Sequence, residues 1–191
     1  MDTRPDGRLS GAQLGSLIGA VAGLLFILIN AGGTDAAAAV RIVGIVLFVA
    51  ALWWGVARAP GSAPASLSPR AGRIYWSSVL AEIVAIPVGA SVINNLLDHP
   101  ELTVLWVVAV VGIHFLPFSR AFGTPMYAWL GGSMVVLAVI GAAVTIAAGS
   151  DSAPSWFAVT AGVVLLGYCV VGPRLAAMPP TSARPSGSLQ G

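Results

Sequence analysis

Residues 125–148 read PMYAWLGGSMVVLAVIGAAVTIAA and contain no charged side chain. A helix needs about 20 mainly apolar residues to cross the hydrocarbon core of a bilayer, and this segment is long enough. A strand of an outer-membrane barrel would alternate apolar and polar residues, which this segment does not do. The segment therefore predicts a transmembrane α-helix.

Segments of the same kind occupy most of the remaining chain. Of the 191 residues, 57% are hydrophobic and 8% are charged, and the mean hydropathy is +0.91. A soluble domain carries about a quarter charged residues, so this composition predicts a multi-pass protein of the cell (inner or plasma) membrane, with the lipid bilayer as its surroundings. A net charge of +2 is too small to indicate nucleic acid. We predict an all-α fold with six transmembrane helices at 13–31, 36–57, 74–97, 102–118, 125–148 and 154–172.

The arginines predict the orientation of these helices. Positive residues concentrate in cytoplasmic loops, and placing both termini in the cytoplasm puts every arginine except Arg41 on that side. Arg41 lies inside the second helix, from where its side chain can extend towards the opposite surface. The helices then form three antiparallel hairpins. The cytoplasmic segments are the N-terminus 1–12, and the loop 59–73 and tail 173–191, whose Pro, Ser, Gly and Ala content predicts disorder.

The first helix carries Gly15, Gly19 and Gly23 at four-residue spacing. Glycines at this spacing let another helix backbone approach closely. The partner is either a second copy of the chain, which would make an oligomer, or another helix of the same chain.

Two ionisable residues, Glu82 and His114, fall inside predicted spans. An ionised side chain at the bilayer centre costs about 2.5–3.5 kcal/mol on insertion scales, so both should face the helix bundle. Helices three and four are joined by a short turn, which predicts an antiparallel pair with Glu82 and His114 at the same depth. A prolyl residue follows each one, Pro87 and Pro117, and we expect each to kink its helix and to free one carbonyl.

Other polar residues predict a pocket around this pair. Ser78 lies on the Glu82 face of the third helix, and Ser133 and Tyr168 fall at a similar depth on helices five and six. Arg120 is a rival ion-pair partner for Glu82. The residues therefore predict either an inner-half polar pocket or a hydrogen-bonded contact that only holds the helices in register.

The stretch Gly112-Ile-His-Phe-Leu-Pro117 ends the fourth helix, and Tyr127 and Trp129 open the next one. This pattern resembles a family of uncharacterised bacterial multi-pass membrane proteins with a Gly-x-His-Phe-Leu-Pro signature. The resemblance covers about residues 74–141. It implies a small multi-pass protein and carries no substrate, cofactor or catalytic residue with it.

Two classes of function remain open at this point. The first is permeation of a small solute or ion, linked to protons, through the Glu82–His114 pocket. The second is a non-catalytic accessory or scaffold protein that regulates a partner. Phosphate-binding, metalloprotease and serine-hydrolase motifs are missing from the sequence, so we predict no catalytic residues, no metal site and no cofactor, and consider an enzyme the less favoured class.

Overall fold

The computed structural model describes residues 11–58 and 68–176. These residues form helices and contain no strand, in agreement with the all-α prediction. Six of the helices are long enough to span a bilayer, the second of them together with the π-helical turn that continues it to Ala57. They are α1 (Gly11–Asn30), α2 (Ala37–Leu52), α3 (Pro69–Asn95), α4 (Thr103–Ala121), α5 (Met126–Ala148) and α6 (Ala153–Ala176).

The largest difference from the predicted boundaries is at the start of α3. Ser68 caps this helix through its side-chain oxygen, which accepts the N–H of Ala71 at 3.2 Å, and Pro69 fills the first helical position. Residues 69–73 are therefore helical, although we predicted them to be disordered. Likewise, α6 continues through residues 173–176 of the predicted tail. The rest of the predicted disordered segments, 59–67 and 177–191, and residues 1–10 lie outside the described residues.

Short irregular turns extend two of the helices. A 3-10 turn, Ala31–Gly33, follows α1, and a π-helical turn, Trp53–Ala57, follows α2. A third short turn, the 3-10 helix Pro100–Leu102, leads into α4.

The helices pack in the order α2, α1, α6, α5, α4, α3, each against the next. In addition, α6 contacts α2 and α4. Helix α6 is thus the central element, and α3 packs mainly on α4 and on the turn Pro100–Leu102.

Two clusters of buried apolar residues hold this arrangement together, and α6 contributes to both. One cluster joins α4, α5 and α6, and includes Val108, Met134 and Leu165. The other joins α1, α2 and α6, and includes Ile27 and Ala51. Helix α3 contributes to neither cluster, so its position depends on its contact with α4.

The glycines of α1 are used inside the chain. A Cβ atom on Gly23 would lie 2.8 Å from the carbonyl oxygen of Gly162 on α6, and one on Gly162 would lie 2.6 Å from the Gly23 oxygen. A Cβ atom on Gly19 would meet the sulfur of Cys169 at 2.9 Å, whereas one on Gly15 would meet nothing within 4 Å. Of the two partners that the sequence left open for these glycines, the structure shows α6 for Gly19 and Gly23.

The outward faces of the helices carry large apolar side chains. Examples are Ile42 and Val46 on α2, Leu80 on α3 and Val139 on α5, all more than half exposed. A soluble monomer rarely exposes so much contiguous apolar surface. All six helices are long and apolar enough to cross a membrane, which is the architecture of a multi-pass membrane protein.

Candidate functional site

The interface between α3 and α4 brings Glu82 and His114 together. The Nδ1 atom of His114 lies 3.1 Å from the Oε2 atom of Glu82. The side chain of His114 is 11% exposed and that of Glu82 is 24% exposed, so the carboxyl group lies at the open edge of the interface. Two ionisable groups from neighbouring spans therefore meet, as their predicted depths required.

This contact is close in distance but does not have the geometry of a hydrogen bond. Among the buried side-chain nitrogen and oxygen atoms of the described residues, Nδ1 of His114 is the one without a hydrogen-bond partner. An imidazole nitrogen is a donor or an acceptor depending on the tautomer, so Nδ1 can take either role. A buried polar atom without a partner is costly, and such atoms in native proteins often mark sites of function or bound solvent.

Helix α3 presents one half-buried face to α4. Ser78, Glu82, Ala85 and Gly89 share this face and are half-buried, whereas most of the residues between them are exposed. Ser78 comes one turn before Glu82, and its hydroxyl makes no hydrogen bond within the described residues. The adjacent Ser77, by contrast, is exposed and donates to the carbonyl oxygen of Ile74 at 3.0 Å.

A tryptophan closes the interface on one side of the Glu82–His114 pair. The indole nitrogen of Trp106 donates to the carbonyl oxygen of Ala85 at 3.0 Å. Its ring lies over Gly89, where a Cβ atom would come within 2.1 Å of the indole. The lack of a side chain at Gly89 on α3 lets Trp106 pack between the two helices. The signal in the sequence was Gly89, on the Glu82 face.

Aromatic rings close the interface on the other side. Tyr75 of α3 stacks on Phe118 of α4, with ring centroids 5.6 Å apart, and Phe118 lies edge-on to the imidazole of His114 at 4.6 Å. Tyr127 of α5 packs against Phe118 at 6.0 Å and against Phe115 at 6.3 Å. Tyr75 and Tyr127 therefore belong to an aromatic cluster around the pair.

The residues of the Gly-x-His-Phe-Leu-Pro stretch divide between two neighbouring helices. A Cβ atom on Gly131 of α5 would lie 2.4 Å from the carbonyl oxygen of Gly112, so the two backbones touch there. The side chain of Leu116 also packs on Gly131. His114 is directed at α3 instead, so the stretch holds α4 between α3 and α5.

Two of the predicted pocket residues, Ser133 and Tyr168, make no hydrogen bond to the pair. Ser133 donates to the carbonyl oxygen of Leu130 in its own helix at 2.8 Å. Tyr168 lies on α6, where it lines an apolar groove of about 380 Å³ together with Trp129 and Gly167. Neither residue is hydrogen-bonded to Glu82 or His114: Ser133 bonds within α5, and α3 packs mainly on α4 rather than on α6. The part that Ser133 and Tyr168 play in a pocket around the pair therefore stays a prediction.

Arg120 and the two prolines complete the predicted set. Arg120 is exposed, and within the described residues its guanidinium is not within ion-pair distance of Glu82. His114 is thus the partner that the structure gives to the carboxyl group. Pro87 and Pro117 both lie inside continuous helices, and the kinks expected there stay predictions.

A second acid–imidazole contact lies in the turn between α3 and α4. Nδ1 of His99 is hydrogen-bonded to Oε1 of Glu101 at 2.8 Å, and both side chains are exposed. The described residues contain no cluster of three or more His, Cys, Asp or Glu side chains that could hold a metal ion.

The comparisons with known proteins add nothing to this geometry. No family model, no curated protein and no solved structure matches the chain. The signature resemblance of residues 112–117 therefore stays a resemblance.

Proposed function

We propose that this chain is a small membrane protein that conducts or transports a solute in a proton-linked manner, with Glu82 and His114 as the groups that exchange the proton. The observation that carries the proposal is the 3.1 Å approach of the Glu82 carboxyl to the His114 imidazole within membrane-spanning helices. An ionisable residue inside a membrane is costly, and such residues commonly mark ion or proton pathways.

The arrangement of the pair supports proton exchange more than a wide solute pocket. A carboxyl and an imidazole in contact can share one proton and so avoid a net charge in an apolar setting. The carboxyl is also 24% exposed, so packed side chains do not seal it completely. Ser133 and Tyr168 make no hydrogen bond to the pair, and this favours a small ligand over a large one.

We further propose the orientation with both termini in the cytoplasm of a bacterial inner membrane, and three antiparallel hairpins. The excess of arginine at one end of the predicted helices supports this orientation. Arg41 agrees with it, because its guanidinium turns back towards Gly32 in the turn after α1, away from the centre of α2. The hairpins are supported by the contacts between α1 and α2, α3 and α4, and α5 and α6.

Proton flux into pyranine-loaded liposomes tests the proposal. After a pH jump, vesicles with the wild-type chain should acidify faster than empty vesicles, because the pair accepts and releases protons. Glu82→Gln and His114→Gln should bring the rate down to that of empty vesicles. The matched controls are Glu101→Gln and His99→Gln, which alter the exposed pair of the turn and should behave as wild type.

The result that overturns the proposal is a wild-type rate equal to that of empty vesicles over a range of pH and membrane potential. A loss of flux in the controls as large as in Glu82→Gln would also contradict it, because the flux would then not depend specifically on Glu82 and His114.

A non-catalytic accessory protein is the second candidate. The observation in its favour is that α3 packs mainly on α4 and leaves large apolar side chains, such as Trp76 and Leu80, on its outer face. A partner could cover that face. Deleting residues 180–191 should spare proton flux in a transporter and should impair a protein that docks through its cytoplasmic tail.

A further inference from the structure

In the part of the chain that the structure describes, three polar groups without a hydrogen-bond partner lie on α3 and α4, where the two helices meet. The Glu82 carboxyl is partly exposed, Nδ1 of His114 is buried without a hydrogen-bond partner, and the Ser78 hydroxyl makes no hydrogen bond within the described residues. Ser78 and Glu82 are one helical turn apart on the same face of α3. Below, these three residues are called the α3–α4 slot.

Within the described residues, the Ser78 hydroxyl donates no hydrogen bond to its own helix, as is also the case for Ser16, Ser91 and Ser155. Several other hydroxyl groups in the long helices donate to a carbonyl of the preceding turn. Those of Ser77, Ser119, Ser133, Thr145 and Thr160 all do so. Inside a membrane, a hydroxyl that skips this bond is better satisfied by something else, since unsatisfied polar groups are costly there.

We propose that the α3–α4 slot binds a primary ammonium group, R–NH₃⁺. Such a group has three N–H donors, and the slot offers three acceptors: the Glu82 carboxylate, the Ser78 hydroxyl oxygen and, in the Nε2-protonated tautomer, Nδ1 of His114. The charge of the ammonium balances that of the carboxylate, and hydrogen bonds between charged groups are the stronger ones.

The surroundings of the slot favour an organic amine over a metal cation. Three ligands, one of them a nitrogen, are few for a hard cation, which prefers six or more oxygens. Phe118 and Tyr75 provide aromatic surface next to His114, and aromatic rings attract organic cations.

Access to the slot is lateral. Trp106 closes one end of the interface and the Tyr75–Phe118 stack closes the other, so the exposed edge of Glu82 faces the side of the bundle. Ile83 and Ile113 flank this edge and are at least half exposed. An apolar R group would rest against them while the ammonium occupies the slot, which is the behaviour of an amine dissolved in the bilayer.

This inference shares the Glu82 carboxyl with the proposed function and names the substrate class for it. Its test is equilibrium binding of radiolabelled methylammonium to the purified full-length chain in detergent micelles. We expect saturable binding, weakened about tenfold or more by Glu82→Gln and about tenfold by Ser78→Ala, since each loses a hydrogen bond to a charged group. Ser77→Ala is the matched control, because Ser77 is exposed and bonded to its own helix, and it should bind as wild type.

Competition shows which property of the ligand is recognised. Tetramethylammonium has the same charge but no N–H donor, and it should compete poorly, as should sodium. Equal competition by tetramethylammonium overturns the proposal, because the slot would then select charge alone.

Two further outcomes overturn it. One is that the wild-type protein shows no saturable methylammonium binding, and the other is that Ser78→Ala and Ser77→Ala bind methylammonium with the same affinity. The two serine variants decide the question even if Glu82→Gln fails to fold. Proton flux without methylammonium binding removes this inference and leaves the proposed function, whereas binding without flux removes the proposed function and leaves the site.

Discussion

The chain contains two contacts between a glutamate and a histidine, one exposed to solvent in a turn and one largely buried between two helices. His99 and Glu101 lie two residues apart in an exposed turn and form a hydrogen bond of 2.8 Å. Glu82 and His114 come from different helices, approach to 3.1 Å, and are mostly enclosed by side chains. Of the two pairs, the one in the open turn is the one that forms a hydrogen bond.

The difference shows that bond geometry and structural importance need not coincide. Two residues in one turn find each other without help from the rest of the fold, and surface pairs of this kind contribute little to stability because water competes for both partners. The Glu82–His114 contact forms only when α3 packs on α4, so it reports on the tertiary structure. The expected effects below test this contrast, from the largest to the smallest.

Gly131→Leu should be the most damaging change, because it separates α4 from α5 and so removes the support behind His114. The added side chain would begin 2.4 Å from the carbonyl oxygen of Gly112, where no flexible group can give way. We expect a loss of about 3 kcal/mol in the free energy of unfolding, measured by SDS titration in mixed micelles. Gly132→Leu is the control, since a Cβ atom there meets nothing within 4 Å. Equal stability of the two variants would contradict the close approach of α4 and α5.

A double-mutant cycle measures each acid–imidazole pair directly. The variants are Glu82→Ala, His114→Ala and the double variant, with the same cycle at His99 and Glu101. We expect a coupling energy of about 1–2 kcal/mol for the inter-helix pair, because residues in contact inside the fold couple to this extent. For the exposed pair we expect no measurable coupling. A coupling for the turn pair as large as that for Glu82–His114 would remove the contrast.

Trp106→Phe keeps an aromatic ring over Gly89 and removes the indole donor to Ala85. We expect α3 to be held less firmly, with a loss of about 1 kcal/mol in the free energy of unfolding, the usual worth of one hydrogen bond. Trp129→Phe is the matched control, because Trp129 is 73% exposed and should tolerate the change. If the two variants have the same free energy of unfolding, the Trp106 hydrogen bond does not hold α3 in place.

Thr103→Val tests the end of the α3–α4 interface nearest the turn. The hydroxyl of Thr103 donates to Oδ1 of Asn94 at 2.7 Å, and both side chains are exposed. Its loss should cost only about 0.5 kcal/mol, since hydrogen bonds between membrane helices are modest on average. Thr160→Val, which removes a hydrogen bond inside α6, is the comparison. A free energy of unfolding for Thr103→Val equal to that of the wild type would show that the inter-helix bond contributes nothing.

Much of the architecture could be predicted from the sequence because it depends on local chemistry. The six membrane-spanning helices follow from uninterrupted apolar runs, and their ends differ from prediction mainly where a cap or proline acts. At α3 the deciding signal was Ser68-Pro69, which starts the helix five residues before the predicted boundary. The meeting of Glu82 and His114 was also predictable, since a short turn joins their helices and both lie at a similar distance from it.

The sequence could not decide which helices that are distant along the chain become neighbours. Ser133 and Tyr168 fall at the depth of Glu82, yet one bonds within α5 and the other lines a groove on α6. The glycines of α1 could have met a second copy, and the structure pairs Gly19 and Gly23 with α6.

By itself, then, the sequence determined the number of spanning helices and the pairing of residues joined by a short turn. Hydrophobic length and chain connectivity are properties of one segment or of two adjacent ones. Only the tertiary structure decided that α6 lies at the centre and that α3 packs mainly on α4, away from that centre. These depend on how the faces of six similar apolar helices fit together, and in a bilayer shape and close packing distinguish such faces, because hydrophobicity is the same on all of them.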